Sequence, residues 1–344
     1  MRAVFFESFG QRPRVADLPS PTAPSGGVVI DVEATGLCRS DWHAWAGHDD
    51  SVALPHVPGH ELVGRIAQVG AGVREWRRGQ RVTTPFVCGC GRCEQCRSGN
   101  AQVCPNQTQP GFTHFGSWAE QVVIHAADHN LVAVPEDLPA EAVVGLGCRF
   151  ATAFRGLHHR ARLQRGETAA VVGCGGVGLS AIMIARALGA RTVAVDVADG
   201  ALDLARRFGA DDTVNAAGLA PQEVADAIVA AAGRRPAVTV EALGREETMN
   251  AALLAAAPLG RHVQIGLFAH PPVTAMPRVI GQEIAVFGSH GMPAADYPEL
   301  VDLVASGALR PADLVTRTIG LDEVPEALVE LGERTRPGMT LIRP

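Results

Sequence analysis

Aromatic residues make up only 5% of this 344-residue chain and charged residues only 19%. There is no basic excess: the net charge is −6 and the pI near 6.1, which argues against a surface for nucleic acid or anionic membrane. There is no uninterrupted apolar run either. The longest, residues 169–185, is broken by four glycines and reads as a glycine-rich loop rather than a membrane span. Internal repeats and low-complexity linkers are missing. The opening Met-Arg-Ala-Val-Phe-Phe runs directly into strand-like sequence without the pattern of a signal peptide, so a cytoplasmic location is expected.

What is present fits two ordinary domains. Apolar residues reach 47%, ample for two cores, and 38 glycines with 23 prolines suit many tight turns. Eight cysteines without an export signal point to metal ligands rather than disulfides. Five of them fall between Cys88 and Cys104, while Cys38, Cys148 and Cys174 stand alone. That distribution suggests one local metal knot and one site assembled from distant segments.

The first 150 residues read as short β-rich segments, with strands at 28–32, 62–69 and 121–125. From about residue 168 the texture becomes an alternation of apolar strand and Ala-rich helix. Strands are predicted at 168–172, 192–196, 212–215, 237–241, 261–265 and 283–287, and helices at 176–189, 199–208, 221–232 and 246–257. Six strands with intervening helices describe a doubly wound parallel sheet. The expected organisation is an α/β chain in three stretches. Residues 1–152 form a β-rich domain, 153–289 the doubly wound domain, and 290–344 a return to the first.

Two motifs carry chemistry by themselves. Gly173-Cys174-Gly175-Gly176-Val177-Gly178 is a GxGxxG after a strand and opening a helix. Its glycines allow the tight turn, the approach of a pyrophosphate and close helix–strand packing, and the helix start offers free N–H groups. Asp196 ends the next strand, 18 residues past Gly178. A carboxylate there accepts ribose hydroxyls and repels a 2′-phosphate, which favours NAD over NADP. The second motif is Cys90, Cys93, Cys96 and Cys104, spaced C-x2-C-x2-C-x7-C. Four thiolates at that spacing close a tetrahedral shell around a structural Zn2+, with an iron–sulfur cluster or a disulfide knot as the competing readings. Cys88 reads as a free neighbour.

Three further segments stand out: Cys38-Arg39-Ser40-Asp41-Trp42-His43, Gly59-His60-Glu61-x2-Gly64-x5-Gly70-x2-Val73, and Gly147-Cys148-Arg149. Together with the cysteine knot and the GxGxxG, they make the chain resemble the zinc-containing medium-chain alcohol dehydrogenases along essentially its whole length. The resemblance implies a GroES-like β-rich catalytic domain with a Rossmann domain. It implies a catalytic zinc on Cys38, His60 and Cys148, with Glu61 a nearby carboxylate able to exchange onto the metal and Asp41 orienting His60. Ser40 and His43 would relay the alcohol proton. Arg39 would contact the cofactor pyrophosphate, Thr152 and Val177 would flank the nicotinamide, and Ile265 and Leu267 would be further cofactor contacts. Phe86, Phe112, Trp118 and Leu267 are candidate pocket walls or core. The resemblance also implies a homo-oligomer, a tetramer rather than a dimer, associating through the edge strand at 283–288.

The chain departs from the family in places. Ala201 stands where some members carry a lysine, Met339 near where some carry an arginine, and Asp49 or Asp50 where an apolar pocket residue is familiar. The function implied is reversible oxidation of an alcohol to an aldehyde or ketone, with two zinc ions, NAD and a small-molecule substrate, and with no nucleic-acid or membrane partner. A polyol or amino-alcohol dehydrogenase or a carbonyl reductase would use the same site. A zinc-binding interaction module is the reading from another class, and the negative charge disfavours it.

Overall fold

A computed structural model describes residues 1–333 and 338–344. The chain divides into two units: residues 1–151, 291–306 and 310–344 form one, and residues 152–290 with 307–309 form the other. Among the described residues no helix is long and apolar enough to cross a membrane.

The first unit is built on a seven-stranded mixed sheet. Its spine is Val28–Leu37, a ten-residue strand paired antiparallel with Leu62–Val69 on one side and Met339–Arg343 on the other, while Gln121–Ile124 takes the first half of the spine. The sheet continues through Val315–Gly320 at one end and Arg81–Thr83 and Val132–Ala133 at the other. Register shifts at Val29/Ile30 and Val32/Ala34 mark bulges, which bend a strand and sharpen its twist. Gly64 is required where the spine passes, because a Cβ there would sit 2.2 Å from the Asp31 carbonyl oxygen. Val28, Ile30, Leu62, Ile66, Val82, Val122 and Ile124 form the core under this sheet. The mixed sheet is the GroES-like half of the architecture.

The second unit is a six-stranded, wholly parallel sheet. Its order is Asp212–Asn215, Arg191–Asp196, Thr168–Val172, Val238–Glu241, Arg261–Gln264 and Ala285–Gly288. The chain starts in the middle, winds out to one edge, returns and winds to the other, which is the Rossmann topology. Thr168–Val172 is buried throughout, as a parallel strand covered on both faces must be. Val172, Val193, Val195, Val224, Ile228 and Ala252 pack together on one side.

Strands 168–172 and 212–215 and the helix Pro221–Ala232 lie where the pattern predicts them. The helix opening at Gly176 ends at Ala187, two residues early, and the last strand runs Ala285–Gly288 rather than 283–287, with Glu283 at φ 50°. In the second unit, the short helix Met276–Gly281 and a π-helical turn at Arg155–Arg160 fall outside the predicted elements, and in the first unit so do the helices Arg39–Trp45, Tyr297–Ala305 and Val324–Glu333.

Candidate active site and metal centres

Cys38 directly follows the spine strand and caps the start of the short helix Arg39–Trp45. Asp41, fully buried in that helix, organises what surrounds it. Its carboxylate accepts the Cys38 N–H at 2.9 Å, the Gly59 N–H at 3.1 Å and His60 Nδ1 at 2.9 Å. Because an ionised carboxylate can only accept, Nδ1 of His60 carries the proton and Nε2 keeps its lone pair. That Nε2 is buried and has no hydrogen-bond partner among the described residues. Cys38, His60 and Cys148 bring their ligand atoms within 4.8 Å of one another. An orphaned imidazole nitrogen facing two sulfurs is an arrangement that a zinc ion completes, and three protein ligands leave a fourth position open.

Phe86 and Phe112 flank His60, with ring centroids at 5.9 and 5.1 Å. Trp118 is core: it is fully buried and its indole N–H donates to the Gly36 carbonyl at 2.9 Å. Ser40 Oγ lies 3.8 Å from Cys38 Sγ. His43, farther along the same helix, pairs Nδ1 to Nδ1 with His48 at 3.1 Å. Partial burial, followed by the nearby charges of His48 and Arg39, holds the His43 pKa below the ordinary histidine value. Arg39 donates to the Leu331 carbonyl at 2.5 Å and lies over the Trp42 ring. Asp49 accepts from the N–H and hydroxyl of Ser51, closing a turn, and Met339 is buried in its strand.

Glu61, beside His60, is fully buried and faces Arg149, beside Cys148. The guanidinium grips both carboxylate oxygens, at 2.9 and 2.5 Å. Burial pushes the Glu61 carboxyl upward while Arg149 opposes that shift. Sequence reasoning noted Arg149 only as a neighbour of Cys148 and passed over His48. A lone charged residue inside the apolar run Gly145–Ala153 was the available signal for Arg149.

The second metal centre is local. Cys90, Cys93, Cys96 and Cys104 gather their sulfurs within 4.8 Å of one another. Backbone N–H groups of Cys90 and Asn106 point at Cys104 Sγ, and that of Cys96 at Cys93 Sγ. Backbone N–H groups of Arg92 and Cys93 bring the Cys90 thiol down to about 6, while burial pushes Cys96 up to about 12. Four sulfurs so close cannot all ionise without a cation among them, which fits a closed zinc site. Cys88 is separate, buried against Thr84 and the Pro85 carbonyl, with its thiol pushed up to about 12 by burial.

In the second unit, Gly173 turns at φ +98° and the helix Gly176–Ala187 begins with no side-chain cap. A Cβ at Gly178 would collide with the Gly173 carbonyl oxygen, while one at Gly175 would meet nothing within 4 Å. The loop is therefore tight on its inner side and open above, and the first turn of the helix aims its backbone N–H groups outward, a cradle shaped for a phosphate. Asp196 stands at its edge and accepts the N–H groups of Cys174 at 2.8 Å and Ala198 at 3.0 Å. Val177 lies in the first helical turn. Thr152 is buried, and its carbonyl accepts the Ser289 hydroxyl at 2.8 Å. Ile265 donates its N–H to the Glu241 carbonyl, and Leu267 is 77% exposed. Glu241, absent from the sequence reading, accepts from the N–H groups of Leu243 and Gly244, from Thr248 Oγ1 and from the Gln264 amide. It thereby ties together the loops that follow two parallel strands.

Known proteins are similar to this chain in sequence and fold. The alcohol dehydrogenase GroES-like domain family matches residues 24–136 and the zinc-binding dehydrogenase family residues 176–306. An NAD-dependent alcohol dehydrogenase of Sulfurisphaera tokodaii is 30% identical over 354 residues, an alignment covering all of both chains. The D-arabitol-phosphate dehydrogenase of Enterococcus avium is 30% identical over 92% of this chain and 90% of its own. Among solved structures, the alcohol dehydrogenase TADH from Thermus sp. ATN1 superposes with a TM-score of 0.91 at 28% identity, covering 100% of this chain and 99% of that one. With this fold, a three-ligand site and a four-cysteine site, the chain belongs to the zinc-containing medium-chain alcohol dehydrogenase family of oxidoreductases.

Proposed function

We propose that this protein oxidises an alcohol to the aldehyde or ketone, reversibly, with NAD as hydride acceptor. The observation that supports it most is that one chain carries both a buried three-ligand Cys38–His60–Cys148 site and, in its other unit, an open glycine cradle edged by Asp196. When bound at Cys38, His60 and Cys148, zinc supplies the Lewis acidity that lets an alcohol lose its proton near neutrality. The chain's own residues do the rest. Asp41 holds the His60 ring in the tautomer that presents Nε2. Phe86 and Phe112 keep water from the imidazole. Ser40 accepts the alcohol proton beside Cys38, and His43, paired with His48, passes it to solvent. The glycine cradle and the first turn at Val177 hold the pyrophosphate. Asp196 accepts the ribose hydroxyls, while Thr152, Ile265 and Leu267 set the nicotinamide.

The four-cysteine cluster holds a second, structural zinc. The protein works in the cytoplasm on a small-molecule substrate as a homo-oligomer, a tetramer in preference to a dimer. Its association surface is the edge strand Ala285–Gly288, where Val286 is 52% exposed beside unpaired backbone groups. The test is a panel of primary, secondary, aromatic and polyhydroxylated alcohols with NAD, read as NADH absorbance. Absence of turnover on every class, with both zinc ions bound, would reject the reading.

A further inference from the structure

We propose that Arg149 is a positioning residue for the three-ligand site, a single guanidinium that ties together the chain segments bearing Cys38, His60 and Cys148. The inference rests on the reading above that this trio holds a zinc ion.

The ligands come from segments far apart in sequence: the end of the spine strand, the loop before Leu62–Val69, and the helical run at Arg149–Phe154. Each has a neighbour in contact with Arg149. Leu37 precedes Cys38, and its carbonyl accepts Nη2 at 3.1 Å. Glu61 follows His60, and its carboxylate accepts Nε at 2.9 Å and Nη2 at 2.5 Å. Arg149 itself follows Cys148, and its backbone N–H also points at Glu61 Oε1, at 3.3 Å. Gly36 makes the room, since a Cβ there would stand 2.5 Å from Glu61 Oε2. Asp41 joins the first two segments through Cys38 N and His60 Nδ1, and Arg149 adds the third.

The choice of side chain follows from geometry. A guanidinium presents a rigid fork that meets both carboxylate oxygens and still has a donor left for a carbonyl; an ammonium is a point charge without that fork. Arg149 is 4% exposed and Glu61 fully buried. A buried ion pair is a poor route to stability alone, because an apolar pair of similar volume packs as well or better. What the pair contributes here is a fixed spacing between three backbone segments, and hence between three ligand atoms. Groups that orient metal ligands in this way typically change metal affinity 10–100-fold when removed.

The test uses the purified zinc-loaded protein and reads zinc affinity at each site by competition with a chromogenic chelator. The four-cysteine zinc serves as an internal control. Arg149→Met should retain the four-cysteine zinc at unchanged affinity and bind the second zinc about 10–100-fold more weakly. Arg149→Lys should recover part of that loss. The Glu61→Gln/Arg149→Met pair removes the carboxylate charge that the single variant leaves buried, so the fold is kept, yet the second zinc should remain weak. Restoration of full affinity in the pair would overturn the proposal, because Arg149 would then merely neutralise Glu61. Unchanged affinity in Arg149→Met, or parallel weakening of both zinc ions with a fall in Tm, would overturn it as well. An unaltered protein that binds one zinc per chain would instead refute the three-ligand reading on which the proposal stands.

Discussion

Asp196 offers a perturbation whose size follows from its surroundings. Its carboxylate already accepts the N–H groups of Cys174 at 2.8 Å and Ala198 at 3.0 Å, so its charge is fixed at the edge of the glycine cradle. The 2′-phosphate of NADP brings roughly 1.5–2 negative charges to that edge. For charges about 5 Å apart, the repulsion is roughly 1–2 kcal/mol with water's dielectric and about 5–7 kcal/mol at an effective value of 20. Asp196 is only half-buried, which places the answer toward the lower figure. NAD should therefore be preferred by at least about tenfold, since each tenfold corresponds to about 1.4 kcal/mol. Asp196→Asn removes the charge and leaves one amide oxygen where two oxygens each accepted an N–H. A bond to a charged acceptor contributes about 1.5–3 kcal/mol and a neutral one about 0.5–1.5 kcal/mol. The variant should thus lose roughly tenfold in kcat/KM with NAD, gain with NADP, and bring their ratio near unity. Steady-state nicotinamide reduction with each cofactor measures this. Equal use of both by the unaltered protein, or an unchanged ratio in Asp196→Asn, would refute the reasoning.

Elemental analysis should find two zinc ions per chain, with Cys93→Ser lowering stability and Cys148→Ser abolishing turnover while leaving the fold largely intact. His43→Gln should slow alcohol oxidation by roughly tenfold, less than the ~10²–10⁴ of a full general base because water partly substitutes, and added imidazole should restore part of the rate. Oxidation needs the unprotonated His43, and its lowered pKa places the rising limb of the pH–rate profile below the usual histidine range. His48→Gln removes a neighbouring charge that lowers His43, so the limb should move to higher pH; an unmoved limb counts against the pair. The proposed tetramer should sediment as a larger species than the single chain, and Val286→Glu should shift it to the monomer by placing a charge on the edge strand.

What the sequence made legible was whatever is contiguous. The GxGxxG turn, the four-cysteine loop and the alternation of apolar strand with Ala-rich helix each complete their geometry within a few dozen residues. Their outlines in the structure agree to within two residues at Thr168–Val172, Asp212–Asn215 and Gly176–Ala187. Pairings that exist only after folding were not legible. Glu61 and Arg149 stand 88 residues apart, and no spacing rule joins them. Glu241 looks like any acidic residue at a strand end until the loops it organises are seen together. The turn at Arg155–Arg160 was hidden for another reason: a π-helical stretch has the same composition as the α-helix it extends, and only backbone hydrogen bonds distinguish the two.

The long central strand has a consequence for how the protein is made. Leu37 and Gly36, directly before Cys38, pair with Thr340 and Leu341, which leave the ribosome roughly 15–60 s later at ordinary synthesis rates. Until then the Thr35–Leu37 end of that strand lacks a partner on one edge, and Cys38 sits directly after it. The four cysteines of 90–104 are all translated early and bring their sulfurs together within one short segment. The four-cysteine segment is thus complete early in synthesis, whereas the strand leading to Cys38 gains its last partner only when the chain is nearly finished.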